Sequence, residues 1–216
     1  MVPRGWKEGI VGAMRGYTGV MGKLTPQVVL IGGPNGAGKT TVAKAVLQDK
    51  LGIATFVNAD QIATGLSGFS PETVAFAAGR VMLARLKELG EAKEDFAFES
   101  TLASRSFTPW LVKLKRDGYN VHIIYVWLRS PELAVQRVRR RVRSGGHSVP
   151  DEVIRRRYRR SVANLWNLYM PLATTWGLYD NSGRMPRIIA SAHRGAPISI
   201  REPSVFRSIQ EMAGHG

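Results

Sequence analysis

The sequence predicts an α/β fold in three layers, with a mainly parallel central sheet of about five strands between helices. Three observations carry that expectation: short apolar runs alternate with helical periodicity, polar residues follow the runs, and a glycine-rich turn joins the first run to the first helix. A chain of 216 residues with 44% apolar composition has enough material for one substantial core and is short for two. One domain is therefore expected over residues 27–216, after an extension of residues 1–26 whose order the sequence leaves open.

The first strand is the run Val28, Val29, Leu30 and Ile31, whose unbroken apolar character suits burial on both faces. Further runs occupy residues 55–57, 96–98, 121–128 and 188–190. Helical patterns separate them at residues 41–50, 71–89 and 107–117, and in a long arginine-rich stretch over 131–169. Ligands of parallel sheets bind beyond the carboxyl ends of the strands. Those positions hold Asn58 and Asp60 after the second run, Glu99, Ser100 and Thr101 after the third, and Arg129 and Ser130 after the fourth. The tail around Pro186, Pro197 and Pro203 reads as loops before a short terminal helix.

Composition narrows the chemistry. The formal net charge of +15, from 31 Lys and Arg against 16 Asp and Glu, makes the surface attractive to polyanions. Of the basic residues 22 are arginine, whose planar fork suits phosphate oxygens. The absence of cysteine excludes disulfides, thiolate metal sites and a cysteine nucleophile. No stretch approaches the ~18 apolar residues of a membrane span, and Arg4, Lys7, Arg15 and Lys23 interrupt every apolar run of the first 26 residues. A cytoplasmic location without membrane contact is the expectation.

The turn after the first run is Gly33-Pro34-Asn35-Gly36-Ala37-Gly38-Lys39-Thr40, a match to G-x-x-x-x-G-K-[ST] between a strand and a helix. Such a P-loop turns backbone N–H groups around a β-phosphate, with the positive end of the following helix aimed at the same place. Lys39 is placed to reach the β- and γ-phosphates and the Thr40 hydroxyl to ligate Mg²⁺, so ATP and Mg²⁺ are the expected cofactors. Thr41, next in the same helical turn, completes the candidate nucleotide-binding set.

Residues downstream of the P-loop point to phosphoryl transfer rather than to a motor. Asp60 ends the strand after the P-loop helix, across the cleft from the γ-phosphate, where a base must take the proton of an acceptor hydroxyl. A second reading has Asp60 capping the next helix. Glu99 stands at another strand tip, where a carboxylate either holds acceptor hydroxyls or coordinates magnesium through water. Between Arg129 and Arg160 there are 11 arginines and three acids, in a stretch placed to act as a lid over about residues 131–170. Arg137, Arg140 and Arg141 have helical spacing, and Gly145-Gly146-His147 supplies a hinge. The same arginines also read as a nucleic-acid face, a partner that the charge permits and the other motifs do not favour.

Taken with Val57-Asn58-Ala59-Asp60, Phe98-Glu99-Ser100-Thr101-Leu102, Gly145-Gly146-His147-Ser148-Val149-Pro150, Arg155-Arg156-Arg157-Tyr158, Asn164-Leu165, Tyr169-Met170-Pro171-Leu172 and Tyr179-Asp180-Asn181-Ser182, the sequence resembles the zeta-toxin family of P-loop kinases over about residues 28–190. It resembles the chromosomal branch most. The resemblance implies ATP- and Mg²⁺-dependent phosphorylation of a nucleotide sugar, typically the 3′-hydroxyl on the amino sugar of UDP-N-acetylglucosamine. It implies Lys39 and Thr40 on ATP and Mg²⁺, Asp60 as general base, and Asn58, Glu99, Thr101 and His147 toward the acceptor. Arg141 and one arginine of the 155–157 run, Arg157 being favoured, would supply lid charge. Plasmid-borne relatives are neutralised by a small antitoxin, a partner not presumed for this chain. Other acceptors (an antibiotic, a nucleoside, a nucleic-acid end) and an ATP-sensing nucleic-acid-binding regulator stay open as alternatives.

Overall fold

A computed structural model describes residues 25–214 apart from Phe69 and His147, with the side chains of residues 48–50, 71 and 72 also left aside. The expectations for residues 1–24 and for His147 fall outside it. Among the described residues seven strands form one sheet in the order β2-β3-β1-β4-β5-β6-β7. They are β1 (Gln27–Gly32), β2 (Thr55–Val57), β3 (Phe96–Ser100), β4 (Asn120–Trp127), β5 (Thr175–Asp180), β6 (Arg187–His193) and β7 (Ser199–Ile200). β1 to β5 are mutually parallel, and β6 and β7 add antiparallel to one edge. Seven α-helices accompany them among the described residues: α1 (Lys39–Leu51), α2 (Ala59–Leu66), α3 (Ala75–Glu91), α4 (Phe107–Arg116), α5 (Pro131–Arg143), α6 (Asp151–Asn164) and α7 (Pro203–Gly214). Right-handed crossovers that move in opposite directions along a sheet lie on opposite faces. The step from β1 to β2 and the step from β3 to β4 run opposite ways, so helices cover both faces.

The expected count of five strands is corrected to seven. β5 was not foreseen: Thr175, Gly177 and Asp180 break its apolar pattern, yet all six of its residues are buried between β4 and β6. Gly177 is there because a Cβ would come within 2.6 Å of the Tyr179 hydroxyl. The run at residues 188–190 belongs to β6, which is antiparallel to β5. The arginine-rich stretch is two helices, broken in the segment where the sequence places Gly145 and Gly146. α5 ends at Arg143 and α6 starts after Pro150, whose ring fixes an extended entry to the helix.

β1 lies between β3 and β4, and Val28, Val29, Leu30 and Ile31 are fully buried. Burial of each such side chain contributes about 1.5–3 kcal/mol. That continuous core sets the heights at which the strands end. Ile31 pairs with Glu99 and Gly32 with Ser100, so the tip of β3 sits beside the start of the P-loop. On the other side Trp127 pairs with Asp180, which brings the loop after β5 to the same end. No helix among the described residues is long and apolar enough to cross a membrane.

Candidate active site

Two glycines shape the P-loop. At Gly33 (φ 143°) a Cβ would overlap the Val126 carbonyl oxygen of β4, and at Gly38 (φ 89°) it would lie 2.8 Å from Asn181 Nδ2. Asn181 donates from that nitrogen to Ala37 O at 2.7 Å, tying the loop after β5 to the turn of the P-loop. The first N–H groups of any helix lack intrahelical partners. In α1 those groups open into the P-loop, and its first turn has no acidic residue to compete for them. Asn35 Oδ1 is buried in the loop without a hydrogen-bond partner, a polar atom that a bound group would satisfy. Lys39, 7% exposed, folds back to donate to Pro34 O at 3.1 Å. Gly36 lines the cleft beside Lys39, while Thr41 is exposed on α1 and lines neither cavity described below.

Glu99 is the hub. Its Oε2 accepts from Thr40 Oγ1 at 2.7 Å and from Asn58 Nδ2 at 2.8 Å, and its Oε1 lies 3.6 Å from Lys39 Nζ. Burial pulls the pKa of Lys39 down from the ordinary lysine value, while the carboxylates of Glu99 and then Asp60 oppose the shift. Sequence reasoning left Glu99 between the acceptor and the metal. Its contacts put it against Thr40 and Lys39 of the P-loop, and it also lines the cavity that holds Asp60 and Thr101. No group of three or more His, Cys, Asp or Glu suited to a metal exists among the described residues. A site of one hydroxyl and one neighbouring carboxylate suits Mg²⁺, which keeps waters and takes its remaining ligands from phosphate oxygens.

Asn58, not Asp60, caps α2: its Oδ1 accepts from Asp60 N at 2.8 Å and from Gln61 N at 3.3 Å. The Asp60 side chain is thereby left exposed at the junction of two cavities, of about 460 and 550 Å³. The first is lined by Lys39, Asn58, Asp60, Glu99, Thr101, Arg141 and Arg157. Of the 155–157 run only Arg157 reaches it; Arg155 lies 3.6 Å from Glu132, and Arg156 is exposed. Arg137 instead donates to Ser182 O, near the P-loop. Gly145 and Gly146 line the second cavity with Thr40, Asp60 and Arg141.

Several residues at the site were not foreseen. Asn164 Nδ2 donates to Leu102 O and the Tyr169 hydroxyl to Ser104 O, both at 2.7 Å, so the end of α6 and the helical turn of residues 165–169 that follows it hold the loop that presents Thr101. Leu102 sits there at φ 56°, fully buried. Along α3, Phe76, Gly79, Arg80 and Leu83 form a further wall of the first cavity. The exposed apolar positions in that helical pattern were the one available signal.

A phosphate cradle on β1, an acidic strand tip beside it and an arginine-bearing helical segment over the cleft define a protein of the P-loop kinase class. The profile of the zeta toxin family matches residues 16–170, and the chain belongs to that family. A Haemophilus influenzae protein described only as uncharacterized is 29% identical over 126 residues, 58% of this chain and 88% of its own. The crystal structure of AvrRxo1-ORF1:AvrRxo1-ORF2 with sulphate ions superposes with a TM-score of 0.70 at 15% identity, covering 94% of this chain and 71% of that one. A second structure of that complex was solved with ATP. A chain of the PezAT chromosomal toxin-antitoxin system of Streptococcus pneumoniae gives 0.60 at 16% identity, covering 100% and 98%. At those identities the likeness is one of fold.

Proposed function

We propose that this protein transfers the γ-phosphoryl group of ATP to a hydroxyl of a nucleotide sugar, with the 3′-hydroxyl of UDP-N-acetylglucosamine as the first acceptor to test. One observation carries the reading. The Asp60 carboxylate, released from capping by Asn58, shares a cavity with Lys39, Arg141 and Arg157. Family membership and the P-loop support ATP as donor.

In this reading the acceptor oxygen forms a bond to Pγ while the bond from Pγ to the β,γ-bridging oxygen breaks, ADP leaves, and the acceptor proton passes to Asp60. Lys39 binds the β- and γ-phosphate oxygens, turning from Pro34 O to do so. Mg²⁺, held at Thr40 and supported by Glu99, would neutralise charge on the phosphates. Arg141 and Arg157 stabilise the equatorial oxygens where charge spreads in the transition state. Asn58 keeps Glu99 in place, and Thr101 faces the acceptor. The likeness to PezAT makes a small antitoxin a partner to test for rather than to presume.

The test is ATP consumption by the purified protein with and without UDP-N-acetylglucosamine, with products read by mass, beside Asp60→Asn. A singly phosphorylated sugar nucleotide that disappears in the variant supports the reading. ATP turnover indifferent to that acceptor overturns it and sends the search to other hydroxyl acceptors.

A further inference from the structure

We propose that the outer face of the α5–α6 pair binds double-stranded DNA, held through its phosphate backbone without regard to sequence. The two helices divide their arginines between two sides. Arg141 and Arg157 line the cavity that holds Asp60, and Arg137 donates to Ser182 O. Arg140, Arg143, Arg156, Arg159 and Arg160 are exposed and line neither cavity at Asp60. Two ion pairs, Arg139 with Asp151 at 2.5 Å and Arg155 with Glu132 at 3.6 Å, engage two acids of the helix pair. They leave those five arginines without a carboxylate partner among the described residues. The third acid, Glu152, lies in the first turn of α6, where a negative charge suits the helix dipole.

The fold makes no use of these arginines. Arg156 stands three and four residues before Arg159 and Arg160, a spacing at which like charges repel and disfavour a helix. The ion pairs also show that α5 and α6 run antiparallel, since Arg139 meets Asp151 while Glu132 meets Arg155. From Arg143 at one end to Arg160 at the other, the face is then about 24 Å long, the length of about seven base-pair steps. What surrounds the charge selects the partner. No large apolar side chain is exposed on either helix, so the face lacks the apolar core of a protein interface and the anchors of a membrane-bound helix. It also lacks an exposed aromatic ring on which an unpaired base could stack, the usual basis of single-stranded and RNA recognition. Planar guanidinium groups suit phosphate oxygens, and a regular duplex presents these at fixed spacing.

The experiment uses the full chain and a fluorescent DNA duplex of mixed sequence and about 20 base pairs, with anisotropy read between about 50 and 200 mM salt. Double-stranded RNA and single-stranded DNA of the same sequence, and vesicles of anionic lipid, are the competing probes. The variants are Arg156→Gln/Arg159→Gln/Arg160→Gln and Arg140→Gln/Arg143→Gln. We expect log Kobs to fall with log[salt] at a slope of about −4 to −5, and the slope to shrink by about 3 in the first variant and about 2 in the second. Both variants should keep AMP-PNP affinity within about twofold, with a Tm no lower than wild type because like-charge pairs have been removed. Should Tm fall in the triple variant, the slope of the double variant decides alone. A wild-type slope shallower than about −2, slopes unchanged by the substitutions, or tighter binding to RNA, single strands or vesicles than to the DNA duplex would each overturn the proposal. Neither ATP turnover nor an acceptor enters the measurement, so its outcome is independent of the kinase reading.

Discussion

The Thr40 hydroxyl donates to Glu99 at 2.7 Å, a bond between residues 59 apart in sequence that parallel pairing of β1 with β3 brings together. It joins the hydroxyl expected on Mg²⁺ to the carboxylate that also receives Asn58 and faces Lys39. Removing the charge at Glu99 therefore acts on the nucleotide end of the site. Glu99→Gln should raise the Mg²⁺ concentration for half-maximal activity about tenfold and lower kcat by on the order of 10²-fold, measured by metal titration at saturating ATP. An unchanged metal requirement with a raised acceptor KM would return Glu99 to the acceptor.

Asn58 and Asp60 should separate stability from activity. Asn58→Ala removes the cap of α2 and a hydrogen bond to a part-buried carboxylate, at about 1–3 kcal/mol, and lowers Tm by several degrees. Asp60 is exposed, and its side chain is not the cap. Asp60→Asn should leave Tm nearly unchanged while kcat falls by about 10²–10⁴-fold. Thermal melts beside initial rates decide it, and a large Tm loss in Asp60→Asn would mean the carboxylate is structural.

Lys39 gives a pH dependence of stated sign. Burial lowers its pKa in the folded protein below the ordinary lysine value of 10.5, so between the two values the unfolded chain holds the proton more often. Its contribution to stability is then present above 10.5, is lost as pH falls through the folded pKa, and rises with pH in between. Phosphate binding by Lys39 needs the proton and weakens over the same window. Wild type compared with Lys39→Met in alkaline denaturation should show the wild type gaining stability as pH rises toward 10.5, while AMP-PNP affinity falls. Parallel pH profiles for the two proteins would contradict the assignment.

Two asparagines should split the substrates. Asn181→Ala releases Ala37 O of the P-loop and should raise KM for ATP about fivefold to tenfold. Asn164→Ala frees Leu102 O in the loop that carries Thr101 and should act on the acceptor KM. Steady-state kinetics with each substrate varied in turn separates the effects; a uniform fall of kcat in both variants would assign the asparagines to general stability.

Much of the site was legible because chemistry and local structure coincide in it. A P-loop carries its function in consecutive residues, and Asp60 and Glu99 could be placed from the strand ends that precede them. Which residue caps α2 was beyond the sequence: both Asn58 and Asp60 are good caps, and only the bonds from Asp60 N and Gln61 N to Asn58 Oδ1 assign the cap to Asn58. β5 was missed because its burial comes from neighbours on both sides rather than from its own pattern.

By itself the sequence determined the α/β class, the phosphate cradle and the set of side chains available for chemistry, since each depends on residues close together in the chain. Tertiary structure alone decided which side chains meet. The register of β1 against β3 puts Glu99 on Thr40 and Lys39, the path of α6 brings Arg157 rather than Arg155 or Arg156 to the cavity, and the placement of α3 turns Phe76, Gly79 and Leu83 toward it. Those relations are distances between segments far apart in the chain, set by how the sheet and helices pack around one core, and no local pattern encodes them.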